Sequence, residues 1–302
     1  MAVVLEKIRR AGRPPFYAMR VEDARIAYVA AAEILEPPRA AVARVEDLHI
    51  PAADATPLSA RLYVSGQSAR GTLLYLHGGG FTIGGLETHD GLCRQLALRS
   101  GSAVVAIDYR LAPEHRFPCA VEDAWAAMRW LAGEGSRLGI DTSRLAVGGD
   151  SAGGTLAAVC AIHARDIGLA LRLQVLITPG TTAHADTDSH ARFASGYLLE
   201  AEGIKWFFDH YIDEVDRNDW RFAPLLADDL EGLAPACIVL AECDPLVDEG
   251  VAYADRLRAA NVPINFELYR GVTHDFIKMG RALPEAHAAL DLIAAALKEA
   301  FT

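Results

Sequence analysis

The apolar residues of this 302-residue chain change their rhythm twice. Residues 21 to 35 carry Val21, Ala24, Ile26, Val29, Ile34 and Leu35 at mixed helical spacing before Pro37-Pro38, which predicts one or two helices outside any sheet. Val45 to Ile50, and then Leu58, Ala60, Leu62 and Val64 with polar residues between them, alternate in the manner of half-buried antiparallel edge strands. From there on the pattern consists of short, nearly continuous apolar runs at 72–76, 103–107, 145–148, 173–177, 238–241 and 264–268. Runs of that length suit parallel strands covered on both faces. Helix-length segments separate them at roughly 90–100, 119–133, 152–165 and 248–260, with a last one after Pro284. Strand alternating with helix predicts an α/β fold with a mostly parallel central sheet wrapped on both sides.

One stretch interrupts the alternation. From about Ala185 to Arg221 the chain is rich in aromatics (Phe193, Tyr197, Trp206, Phe207, Phe208, Tyr211 and Trp220) and has helical spacing without a strand of its own. It reads as an insertion over the strand ends. The organisation expected is an N-terminal helical part of a cap at 1–40, a core at 41–184, the cap insertion at 185–221 and the rest of the core at 222–302. No internal repeat or low-complexity tract is visible.

Composition narrows the function. At 52% hydrophobic residues the chain can bury a large core, and a net charge of −11 argues against nucleic acid and anionic membrane surfaces, both of which recruit basic patches. Five scattered cysteines without a C-x-x-C pair suggest packed thiols, neither a disulfide framework nor a zinc site. Glu6, Lys7, Arg9 and Arg10 break the apolar start before it reaches signal-peptide length, and no uncharged run of about 18 residues exists to span a bilayer. A cytoplasmic protein acting on small neutral molecules, with no metal and no cofactor, is the expectation.

The chemistry concentrates in four places. Gly149-Asp150-Ser151-Ala152-Gly153 follows an apolar run and opens an Ala-rich helix, the context in which a G-x-S-x-G turn exposes a nucleophilic serine. A serine hydroxyl needs a base to take its proton, a group to orient that base and N–H donors for the developing oxyanion. His77-Gly78-Gly79-Gly80, after the run 72–76, offers Gly78 and Gly79 as donors, with the Ala152 amide at the helix start as a third. His77 precedes the nucleophile and reads as structural. Asp244 follows the run 238–241 and is the favoured acid; Asp248 is its rival, more suited to capping the next helix, and Glu242 is a weaker one. Of ten histidines, His274 alone lies on a loop after the last apolar run and downstream of the acid, which makes it the base. Phe81, Tyr197, Leu198, Trp206, Leu246 and Phe276 are the candidate pocket walls.

These motifs, together with Asp108–Pro118, Asp244–Gly250 and Thr273–Phe276, make the stretch from about Leu73 to Leu283 resemble the bacterial hormone-sensitive-lipase-like esterases. The resemblance implies an α/β-hydrolase fold with a helical cap, hydrolysis of short- to medium-chain acyl esters without a cofactor, and in many relatives a homodimer. The same triad would equally serve an amidase, a lactonase or a carbamate hydrolase. A ligand-binding protein on the same fold, of the gibberellin-receptor kind, lacks the catalytic histidine that is present here. Two positions depart from the family pattern: Asp275 stands where relatives usually have glycine, and Thr155 where many have asparagine. Asp275 would favour imidazolium on a nearby His274.

Overall fold

In the computed structural model, residues 1–66 and 69–302 are described. Eight strands form one sheet: β1 (Arg44–Pro51), β2 (Pro57–Val64), β3 (Thr72–Leu76), β4 (Ala103–Ile107), β5 (Leu145–Asp150), β6 (Leu171–Ile177), β7 (Ala236–Cys243) and β8 (Ile264–Thr273). Their order is β1-β2-β4-β3-β5-β6-β7-β8, with β2 antiparallel to both its neighbours and every pair from β4 to β8 parallel. The apolar runs thus form the parallel sheet that the sequence predicts, and β3, β4 and β5 are buried along their whole length.

Helices cover both faces. The larger core cluster packs α4 (Cys119–Glu134), α5 (Ala152–Asp166) and α8 (Val247–Ala259) on one side of the sheet, and a second packs α3 (Leu86–Ser100) and α9 (Pro284–Ala300) on the other. Above the strand ends lie α1 (Ala2–Ala11), α2 (Val21–Leu35), α6 (Asp188–Arg192) and α7 (Ala201–Tyr211). A third, small cluster of Ala24, Tyr28 and Ile83, joined by Phe16, Met19, Trp206 and Phe207, packs α2 and α7 together.

Two local expectations need correction. β2 is an interior strand between β1 and β4, because alternation records one covered face and is silent about which backbone edges are paired. β8 is not covered on both faces: it is the far edge of the sheet and is half exposed for most of its length, its apolar side chains alternating with Asn265, Glu267 and Arg270. The segment before Pro14 forms α1, held by Val4 and Met1 against the second core cluster although most of its surface is exposed.

Candidate active site

The crossover order decides what meets. The chain leaves β3 for β4 on one side and returns to β5 on the other, so the C-terminal ends of β3 and β5 are neighbours, Leu76 facing Gly149. Such a switch point opens a crevice at the strand ends. The loop 77–85 follows β3 and Ser151 follows β5, which sets the glycine loop against the serine turn. At the far side Cys243 of β7 pairs with Thr273 of β8, so Asp244 and His274 leave adjacent strands side by side.

Ser151 has φ 53° and ψ −123°, a conformation that costs a non-glycine residue on the order of 1–3 kcal/mol. The turn is held by its own N–H, which donates to Ile177 O at 2.8 Å, and by its carbonyl, which accepts from Thr155 N–H at 3.0 Å. A Cβ on Gly149 or Gly153 would run into the Leu76 carbonyl, which explains the small residues on either side of the serine. The Thr155 hydroxyl donates to Gly180 O at 2.6 Å and ties α5 to the loop after β6.

Ser151, His274 and Asp244 form one hydrogen-bonded line. His274 Nδ1 lies 2.7 Å from Asp244 Oδ2 and His274 Nε2 lies 2.9 Å from Ser151 Oγ. A carboxylate only accepts, so Nδ1 carries the proton and Nε2 is left to accept from the serine hydroxyl. The second oxygen of Asp244 accepts from Leu246 N–H at 2.9 Å. Burial by itself would push the imidazole toward neutrality. The charge and hydrogen bond of Asp244 outweigh it, with Asp275 and Asp150 adding to them, and the net effect holds His274 above the usual imidazole range. Asp275 has φ 63°, a left-handed conformation that favours glycine over residues with a side chain.

Two expectations about this site change. Gly78 N–H is not free: it donates to Asp150 Oδ1 at 3.2 Å. Asp150, 1% exposed, also accepts from Tyr75 Oη at 2.6 Å and from His89 Nε2 at 3.1 Å. Burial would raise its pKa, but the charge and hydrogen bond of His89, with help from Lys278 and Tyr75, hold it below the carboxylate range. A Cβ on Gly78 would collide with this carboxylate. Among the described residues, the N–H groups of Gly79, Gly80 and Ala152 are among those here that have no protein acceptor. Gly80 therefore replaces Gly78 among the candidate donors, a distinction that three successive glycines cannot reveal. The rival acid Asp248 neither bonds to His274, which pairs with Asp244, nor caps α8, whose N-cap is Leu246; its Oδ2 accepts from Ser189 N–H at 2.8 Å and fastens α6. His77, 2% exposed, stacks on Tyr109 with centroids 4.2 Å apart, in keeping with a structural role.

Of the candidate walls, Phe81 stacks on Tyr211 at 4.0 Å beside the glycine loop, and Leu246 follows Asp244 closely. Tyr197 packs edge-on to Phe193, Leu198 is exposed, and Trp206 leans on Phe207 at 5.1 Å. Phe276 is a correction: it is fully buried, 5.3 Å from Tyr269, because its ring packs into the second core cluster with α3 and α9. Phe207, in contrast, lies directly over Gly80, where a Cβ would strike its ring. Its place in an aromatic run next to Trp206 gives no sequence signal to separate the two.

Residues 73–278 match the family described as the alpha/beta hydrolase fold. The chain belongs to that family. Within it the chain is a hormone-sensitive-lipase-like esterase relative: it is 42% identical to ethyl acetate hydrolase of Pseudomonas putida over 98% of this chain and 96% of that protein. It is also 41% identical to the carboxylesterase NlhH of Mycobacterium tuberculosis over 76% of this chain and 73% of that one. Among solved structures, a hyperthermophilic esterase from Pyrobaculum calidifontis superposes with a TM-score of 0.92 at 40% identity, covering 98% of this chain and 96% of that chain. No helix among the described residues is long and apolar enough to cross a membrane.

Proposed function

We propose that the protein is a serine carboxylesterase that hydrolyses short- to medium-chain acyl esters through an acyl-enzyme. The observation that carries this reading is the line Ser151 Oγ, His274 Nε2, His274 Nδ1, Asp244 Oδ2 at 2.9 and 2.7 Å. Ser151 attacks the ester carbonyl while His274 takes its proton; Asp244 holds the ring in the required tautomer and stabilises the imidazolium. The amides of Gly79, Gly80 and Ala152 receive the oxyanion. His274 then protonates the leaving alcohol and afterwards activates the water that releases the acid.

Residues 1–40 and 185–221 act as the cap. Their joint packing through Tyr28, Trp206 and Phe207 roofs the crevice, and Phe207 above Gly80 limits what fits beside the oxyanion. A fluorophosphonate tests the nucleophile: one adduct on Ser151 is expected, with p-nitrophenyl acetate turnover lost in Ser151→Ala by on the order of 10⁶. An adduct on another residue, or turnover surviving in Ser151→Ala, overturns the reading.

A further inference from the structure

Helix α2 touches both halves of the site from one face. Arg25 and Tyr28 are three residues apart and so adjoin on the helix surface. Arg25 Nε donates to Thr82 O at 2.9 Å and Nη2 donates to Ala112 O at 2.8 Å, while the guanidinium pairs with Glu114 at 2.7 Å. Thr82 N–H in turn donates to Gly79 O at 3.1 Å, so Arg25 grips the glycine loop itself. One turn further along, Tyr28 Oη accepts a hydrogen bond from Lys278 Nζ, and that ammonium lies 4.2 Å from the centroid of the Tyr28 ring. Lys278 ends the short turn Phe276–Lys278 just after His274 and Asp275, and its N–H donates to Asp275 O at 3.1 Å. Beyond it Arg281 N–H donates to Leu35 O at 3.2 Å and Arg281 Nε to Glu36 O.

Lys278 is the unusual member. It is 6% exposed, yet no carboxylate oxygen among the described residues lies within 4.0 Å of it; Asp275, Asp150 and Glu36 act on it only from farther away. Burying an ammonium with a phenol as its close partner is unfavourable, and an apolar side chain would fill the space without that cost. What the lysine supplies is a directed link from α2 to the histidine loop.

We propose that α2 is a strut that sets the glycine loop and the histidine loop in register, with Arg25 and the Tyr28–Lys278 pair as positioning residues for the reaction at Ser151. The inference rests on the triad assignment made above. Misplacement of reacting groups by an ångström is enough to slow a reaction markedly. A strut acts on turnover per folded site, whereas a merely structural contact acts on how much protein is folded.

The test uses the full chain and two rates: phosphonylation of Ser151 by a fluorophosphonate, and turnover of p-nitrophenyl acetate per site titrated with the same reagent. In Tyr28→Phe and Lys278→Met both rates should fall by about tenfold per titrated site with KM little changed. Arg25→Met combined with Tyr28→Phe should cost less than the product of the single effects, since either change releases the strut. Per-site rates within about twofold of wild type in both single variants, whatever happens to Tm, would overturn the proposal. If Lys278→Met does not fold, Tyr28→Phe, which removes one oxygen atom, decides alone. A wild type that is phosphonylated without turning over esters would count against the esterase reading, and the labelling rates would still judge the strut.

Discussion

The strand ends and the proposed roof above them are built by different physics. At the strand ends each functional atom is fixed by backbone register and by a polar partner: both oxygens of Asp244 are engaged, and the Ser151 amide is pinned to β6. The proposed roof joins its α2 and α7 through a small apolar cluster, reaches the larger core through Phe193, Tyr211 and Ile212, and leaves Val3, Ile26 and Ile34 exposed on its own helices. Nucleophilic catalysis tolerates little displacement, so its groups sit where a ladder of hydrogen bonds spans the whole molecule. Acceptance of an acyl chain needs only an apolar wall of suitable depth. The two regions are joined by polar contacts, among them Asp248 to Ser189, His190 to Glu249 and Arg116 to Asp213, by Tyr211 stacked on Phe81, and by α2.

The sharpest way to break this contrast is at the acid. Asp244→Asn should lower kcat on the order of 10⁴-fold, while Asp248→Asn, which only loosens α6, should cost about tenfold or less. Steady-state kinetics with circular dichroism checks the ranking, and a larger loss in Asp248→Asn would move the acid role. Packing should differ in the same sense. Leu74→Ala, in the fully buried β3, is expected to cost about 2–5 kcal/mol of stability, against within about 0.5 kcal/mol for Ile26→Ala at 70% exposure. Urea unfolding measures both, and similar losses would mean that the roof is as much core as the sheet.

Smaller effects belong to the roof and to pH. Each methylene added to a p-nitrophenyl ester should raise kcat/KM about fourfold, the equivalent of about 0.8 kcal/mol, until the pocket is full, and then the trend should reverse. Phe207→Ala should move that optimum to a longer chain; an unmoved optimum would remove Phe207 from the pocket. The base works as neutral imidazole, and the folded protein favours the imidazolium. The acid limb of kcat/KM should therefore lie above the reference value of about 6.5. Asp275→Asn removes one of the charges that hold the proton, so its limb should move down toward that value. Coincident limbs in the two proteins would show that Asp275 does not reach the ring.

The parallel strands, their helices, the serine turn, Asp244 and His274 are legible along the chain because each is a local signal: an apolar run of strand length, a glycine-flanked serine, a charged residue just past a strand. The interior position of β2 and the edge position of β8 are not, since side-chain alternation reports cover on a face and says nothing of neighbours in the sheet. The exchange of Phe276 for Phe207 has the same cause, as two aromatics near the site differ only in whether the ring packs into the second core cluster or against the glycine loop.

The proposed nucleophile, base and acid and their order are therefore readable in the amino-acid sequence itself, because residue type and place after a strand distinguish them. Which glycine amides remain free to serve the proposed oxyanion was decided only in three dimensions. Gly78, Gly79 and Gly80 are chemically identical, and it is the carboxylate of Asp150, delivered from 72 residues away by the pairing of β3 with β5, that claims the first N–H and leaves the next two free.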